Sequence, residues 1–176
     1  QSIEGLSYKI DSQIFHNSDR ALINDLDDLA LMEKDKVFFR NRYLPSSWGD
    51  IITSRGCPFT CGYCSAHNTW TYRVRFRSIQ KILEEIDLVI AKYNTKEFYF
   101  WDDNFTLNRD RILEFCRLLK QKKMQISWGC TTRVDLLDDF LIKEIKKAGC
   151  NYISIGIETG SERMLKKIHK GITIKQ

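Results

Sequence analysis

The sequence of 176 residues predicts an α/β fold, a partial parallel (β/α) barrel of about four βα units behind an irregular lead. Three observations carry this. From Ile51 onward, short apolar runs of strand length alternate with stretches whose apolar residues recur at helical spacing. The helical stretches open on good capping residues: Ser78, Asn108, Asp138 and Ser161. Four strand–helix units in succession imply a parallel sheet with right-handed crossovers.

The elements follow in order. Residues 1–47 form a lead, in which Leu6-Ser-Tyr-Lys-Ile10 and Gln13-Ile-Phe-His16 flank Asp11-Ser12 as a short hairpin. Acidic Asp25-Leu-Asp-Asp-Leu29 and a stretch ending at Tyr43-Leu-Pro45 follow. Residues 48–176 hold the barrel units. Strand 51–55 leads into a cysteine-bearing loop. A helix over 78–93 places Ile79, Ile82, Leu83 and Ile86 on one face. Strand 97–101 is followed by a helix over 108–123, strand 126–132 by a helix over 138–148 that Gly149 stops. Strand 152–157 precedes a helix from Ser161 to about Lys170. The aromatic run Phe98, Tyr99, Phe100 and Trp101 reads as a strand covered on both faces rather than a stacking platform. Four units fall short of a closed eight-unit barrel, so the chain is expected to be a fragment of a larger protein.

Composition narrows the class. Hydrophobic residues make up 43%, enough for one core, and the formal net charge is +5 with a pI near 8.9. The basic runs Lys120-Gln-Lys-Lys123 and Lys143-Glu-Ile-Lys-Lys147 read as solvated helix faces, which makes nucleic acid an unlikely partner. No apolar stretch approaches the ~20 residues that span a bilayer, and the unpaired thiols suit a reducing cytoplasm. Cys116, Cys130 and Cys150 are expected to be small buried hydrophobes.

The chemistry concentrates in Arg55-Gly-Cys-Pro-Phe-Thr-Cys-Gly-Tyr-Cys-Ser-Ala66, where Cys57, Cys61 and Cys64 have the spacing C-x3-C-x2-C. A 4Fe-4S cluster normally takes four cysteines. Three leave one iron for a ligand that is not protein. A Cys3His zinc site with His67 as fourth ligand is the competing reading, although its four ligands would crowd into eleven residues. In parallel barrels the reacting groups lie at the C-terminal strand ends. The cysteine loop, Asp102 and Asp103, Arg133, and Glu158 fall at four successive ends. Along the strands, Ser127, Gly129, Thr131 and Arg133 share a face, as do Ser154, Gly156 and Glu158. Small and polar faces of this kind leave room for a cofactor.

With Tyr63 before the third cysteine, the motif resembles that of the radical S-adenosylmethionine (SAM) superfamily. Asp102-Asp-Asn-Phe-Thr-Leu107, Thr132-Arg-Val-Asp135, Gly156-Ile-Glu-Thr-Gly-Ser161 and Lys170-Gly-Ile-Thr173 resemble the branch that often carries an N-terminal cobalamin-binding domain. The lead resembles that branch's linker, the cobalamin being bound by a domain outside this chain. The resemblance implies a 4Fe-4S cluster on Cys57, Cys61 and Cys64, with SAM chelating the open iron. It further implies that Asp102 or Asp103 accepts from the SAM ammonium, in place of the family's common Gly-Gly-Glu. Arg133 would pair with the SAM carboxylate, Glu158 and Ser154 would bind ribose, and the Tyr63, Ser65 and Ala66 backbone would contact adenine. The activity implied is reductive cleavage of SAM to a 5′-deoxyadenosyl radical that abstracts hydrogen from a substrate. Cobalamin-dependent methyl transfer is one outcome. The electron would come from an external donor such as flavodoxin or ferredoxin. A tRNA methylthiotransferase-like enzyme and a non-catalytic zinc module are the alternatives.

Overall fold

The computed structural model describes residues 2–32 and 34–176. In chain order its elements are β1 (Ser7–Ile10), β2 (Gln13–His16), β3 (Asp50–Ile51), β4 (Ser54–Arg55), α1 (Ala66–Trp70), β5 (Arg75–Phe76) and α2 (Ile79–Tyr93). There follow β6 (Glu97–Phe100), α3 (Arg109–Gln121), β7 (Ser127–Thr132), α4 (Asp139–Lys147), β8 (Cys150–Ile155) and α5 (Glu162–Lys167). The central sheet has the order β3-β6-β7-β8, every neighbouring pair parallel. Sequential order and parallel pairing are what a succession of strand–helix units gives. β1 and β2 form an antiparallel hairpin whose turn residues, Asp11 and Ser12, both have positive φ, the backbone of a primed turn.

Each long helix starts where its cap stands. Ser78 Oγ accepts from the Lys81 amide at 3.2 Å, Asn108 Oδ1 from Arg111 at 3.1 Å and Asp138 Oδ1 from Leu141 at 2.8 Å. Ser161 does the same for Met164 at 3.4 Å. These bonds satisfy amides that the first helical turn leaves without a partner. α5 is shorter than expected, because His169 takes a left-handed φ of 53° soon after Lys167.

The core lies between the sheet and helices α2, α3 and α4. Phe98, Phe100, Trp128 and Cys130 point toward the helices and meet Ile82, Ile86, Ile112, Phe115, Leu141 and Ile145. Phe100, Phe105, Phe115 and Trp128 form an aromatic cluster with ring centroids 4.5–6.0 Å apart. The indole N–H of Trp128 donates to the Ala148 carbonyl at 2.9 Å, so this large ring is buried without an orphaned donor. Cys116, Cys130 and Cys150 are free thiols in this core, as their apolar neighbourhoods suggest.

β8, Cys150–Ile155, begins and ends two residues before the expected 152–157, and two further features depart from the sequence reading. The strand expected at 51–55 splits. Ile51 makes the last parallel contact, its carbonyl accepting from Trp101 N at 2.9 Å. Ser54 and Arg55 instead pair antiparallel with β5. At the split, Thr53 and Ser54 turn their amide and hydroxyls to Asp102, while the Thr53 carbonyl accepts from Arg77 N at 2.9 Å. The second departure is in β6. Phe98 and Phe100 are buried, but Trp101 is 58% exposed. Only the helix-facing side of the sheet is covered. Tyr99, Gly129, Thr131, Tyr152 and Ser154 lie on the opposite face, joined by the cross-strand register and by a Tyr99 Oη to Thr131 Oγ1 bond of 2.9 Å.

Candidate cluster and cofactor site

The cysteine loop leaves β4 through Gly56. Gly56 has φ +100°, and a Cβ there would stand 2.3 Å from the Arg73 carbonyl oxygen. Only glycine lets the chain turn this close to β5. The loop then presents three sulfurs, each facing its own N–H donor. Asn104 Nδ2 lies 3.3 Å from Cys57 Sγ, Arg133 Nη1 lies 3.5 Å from Cys61 Sγ, and the Ala66 amide lies 3.4 Å from Cys64 Sγ. Donors aimed at sulfur favour thiolate over thiol, the form that binds metal. The donor set therefore fits a thiolate-held cluster. Burial pushes the Cys57 thiol above its ordinary value, and the nearby Asp103 charge adds to this.

A mononuclear zinc site fits less well. His67 stacks flat on Tyr72, ring centroids 5.2 Å apart.

The other strand-end groups divide into those at the loop and those elsewhere. Arg133, 5% exposed, is at the loop: its guanidinium lies 3.8 Å over the Phe59 ring, and its Nε and Nη2 grip Asp135 in two bonds of 2.9 Å. Burial alone would lower its pKa, but the Asp135 carboxylate overrides this and raises it. The pairing with Asp135 leaves Nη1 to face Cys61. Glu158 is held by Lys170 and Tyr63. Tyr63 Oη donates to Glu158 Oε1 at 2.8 Å, while Lys170 Nζ reaches Tyr63 Oη at 2.8 Å and Glu158 Oε1 at 2.9 Å. These contacts hold the Glu158 carboxyl below its usual range. The Gly62 amide also donates to the Ile168 carbonyl at 2.8 Å. The loop is thus fastened to the segment after α5 at two points. Ser65 precedes α1 without a capping bond from its side chain, and Ser154 stands beside Thr131 on the open face.

Asp102 and Asp103 separate sharply. Asp102 is 2% exposed, and its oxygens accept from Thr53 N (3.2 and 3.3 Å), Thr53 Oγ1 (3.0 and 3.1 Å) and Ser54 Oγ. Asp103 is exposed and close enough for its charge to act on Cys57. Asn104, which donates to Cys57, went unassigned in the sequence although it sits inside the Asp102–Leu107 segment. Lys170 also went unassigned, within Lys170–Thr173. Both occur in segments already singled out, but only the folded chain brings their side chains to the loop.

Site and fold define a class: a parallel α/β enzyme core with a three-cysteine loop at the C-terminal end of its first strand. The chain belongs to the radical SAM superfamily, whose family profile matches residues 51–176. It is 35% identical over its whole length to an uncharacterized methyltransferase of Pyrococcus horikoshii, spanning 39% of that protein. It is 31% identical over 99% of its length to the anaerobic magnesium-protoporphyrin IX monomethyl ester cyclase of Rubrivivax gelatinosus, spanning 32% of it. The chain thus spans about a third of the length of these curated relatives. Among solved structures, OxsB, a cobalamin-dependent SAM radical enzyme with aqua-cobalamin and SAM bound, matches 99% of the chain and 27% of its own. The TM-score is 0.77 at 23% identity. TsrM, a radical SAM methyltransferase from Kitasatospora setae, covers 71% of this chain and 25% of its own, with a TM-score of 0.63 at 18% identity. These two show the shared fold. Among the described residues no helix is long and apolar enough to cross a membrane.

Proposed function

We propose that the chain binds a 4Fe-4S cluster through Cys57, Cys61 and Cys64 and seats SAM on the iron that they leave open. The observation that carries this is the donor pattern, in which each of the three sulfurs has one N–H of its own. When bound, a reduced cluster of this kind supplies the electron that cleaves the SAM sulfonium and yields a carbon radical able to abstract hydrogen.

The chain's own residues bind, orient and shield. Asp103 is the acid proposed to accept from the SAM ammonium, because Asp102 already has its oxygens engaged by Thr53 and Ser54. Arg133 places a cation beside Cys61 that offsets cluster charge, and its guanidinium is proposed to pair with the SAM carboxylate. Glu158, fixed by Lys170 and Tyr63, together with Ser154 is proposed for the ribose hydroxyls. The Tyr63–Ala66 backbone is proposed for adenine. The Phe59 ring packs against the buried Arg133 guanidinium and holds it beside the loop.

Two extensions rest on the relatives. A cobalamin-binding partner domain and methyl transfer to carbon are proposed from the likeness to methyltransferases and to the cobalamin-dependent OxsB. An external one-electron donor of flavodoxin or ferredoxin type is proposed to reduce the cluster.

The test is anaerobic reconstitution of the intact protein with iron and sulfide, followed by spectroscopy with dithionite before and after SAM. A 4Fe-4S signal that changes with SAM, and that each of Cys57→Ala, Cys61→Ala and Cys64→Ala abolishes, is the expected result. Stoichiometric zinc in place of iron, or a cluster indifferent to SAM, refutes the proposal.

A further inference from the structure

The antiparallel ribbon of β4 and β5 carries an arginine arrangement that nothing in the cluster site uses. Arg55 and Arg75 are direct partners across the ribbon, so their side chains leave the same face. Arg73, two residues before Arg75, lies close enough for its charge to act on Arg75. Like charges opposite one another across a strand pair repel. Arg55 lies 4.9 Å over the Trp70 ring and has no carboxylate partner among the described residues.

Arg75 is the decisive residue. It is 5% exposed. Its Nη1 donates to the Ile23 carbonyl at 2.5 Å. Its Nε and Nη2 are shut off from solvent and have no hydrogen-bond partner. Those two nitrogens form one edge of the guanidinium, the edge that grips a carboxylate or phosphate with two parallel bonds. Acids of the lead and of α2 are committed elsewhere: Asp27 accepts from the Ser78 amide, and Glu85 pairs with Arg77 at 2.6 Å. Burial lowers the Arg75 pKa, and the charges of Arg55 and Arg73 lower it further. A buried cation with an unused bidentate edge and like charges around it is stable only when a counter-charge arrives.

We propose that the Nε–Nη2 edge of Arg75, backed by Arg55, is a binding site for an oxyanion, the phosphate or carboxylate group of a small molecule. The site lies between the lead at Ile23 and the ribbon. None of its residues is among those proposed to hold the cluster or SAM. Because the edge is closed to solvent, uptake requires the lead around Ile23 to move.

The experiment uses the intact protein without SAM, at constant ionic strength, and follows melting temperature against inorganic phosphate, acetate and chloride. The expected result is a saturable rise with phosphate or acetate above the chloride baseline. That rise should weaken at least tenfold in apparent affinity in Arg75→Met and in Arg75→Lys, which keeps the charge but loses the fork. A response to phosphate alone assigns a phosphoryl group, and a response to acetate alone assigns a carboxylate. In chloride, Arg75→Met should melt no lower than the parent, since it removes an unpaired buried charge. The proposal is overturned by the absence of saturable stabilisation, by equal binding in Arg75→Met, or by a clear drop in its melting temperature in chloride. That drop would mean that the intact protein already pairs the edge.

Discussion

Replacing Asp102 and Asp103 one at a time separates fold from cofactor. Asp102→Ala removes the acceptor shared by the Thr53 amide, the Thr53 hydroxyl and the Ser54 hydroxyl, all at a buried position. The hydroxyls can rotate toward other acceptors, but the amide cannot. An unsatisfied buried donor costs about 1–3 kcal/mol, and the emptied volume adds to it. A total of about 3 kcal/mol corresponds to a melting-temperature loss of roughly 6–12 °C for a domain of this size. The pH dependence has a definite sign. Burial raises the Asp102 pKa above its ordinary value, opposed by Ser54, Arg111 and Thr53. A raised folded-state value means that the residue's contribution is greatest below the ordinary aspartate range and declines as pH rises through the folded value. Asp102 therefore does not drive acid unfolding. Asp103→Asn, at an exposed position, should leave the melting temperature within about 2 °C while weakening SAM about tenfold, read by titrating the cluster signal. The reasoning is refuted if Asp102→Ala melts like the parent yet loses SAM, or if Asp103→Asn binds SAM normally.

Other expectations follow from the same geometry. Trp128→Ala, at the centre of the aromatic cluster, should destabilise by about 3–5 kcal/mol in urea titration. Asn104→Ala removes the N–H donor to Cys57, so the cluster potential measured by redox titration should become more negative. Glu144 is paired with Lys120 and Lys147 and held down to about 2. Its depressed value gives a contribution present above the ordinary glutamate pKa and lost as pH falls toward 2, and the loss should shrink in high salt. An acid-unfolding profile unchanged in Glu144→Gln would contradict this. Lys170→Met should weaken SAM binding about tenfold, or about 1.4 kcal/mol, because it leaves Tyr63 and Glu158 held only by their own bond. Unaltered affinity would detach that group from the cofactor site.

Much of the fold was legible because its signals are local. The four capping residues, the helical stripes and the apolar strand cores state their own structure within a few residues. The cysteine triplet was equally legible, since its spacing is contained in one loop. The split of strand 51–55 was not. It depends on a carboxylate about fifty residues away, and nothing in Ile51–Arg55 announces that Thr53 and Ser54 will turn toward Asp102. The exposure of Trp101 was missed for a related reason. A run of four aromatics reads as fully buried, whereas a sheet whose helices cover one face buries only alternate residues. At the site, the sequence offered two adjacent acids as equivalent candidates. Their difference arises from the loop after β6, in which Asp102 is buried against Thr53 and Ser54 while Asp103 is left exposed.

The longest-range polar contacts of the site explain why its parts are dispersed through the chain. Tyr63 meets Glu158 and Lys170, residues 95 and 107 positions later. This side of the loop that carries the cysteines is therefore fastened only once β8 and α5 have docked, apart from the contacts of Asn104 and Arg133. Gly156 is part of that fastening: a Cβ there would lie 2.5 Å from Glu158 Oε1 and 3.1 Å from Lys170 Nζ. Gly156→Ala should accordingly displace Glu158 and Lys170 without touching the cysteines. A chain so altered should still assemble its cluster, since the three sulfurs and their N–H donors lie on other elements. It should nonetheless respond weakly to SAM, by about the same tenfold as Lys170→Met. The double variant should add little to either single one, because both break one linkage. Fully additive losses would show that Gly156 and Lys170 act through separate contacts and that the loop is held elsewhere.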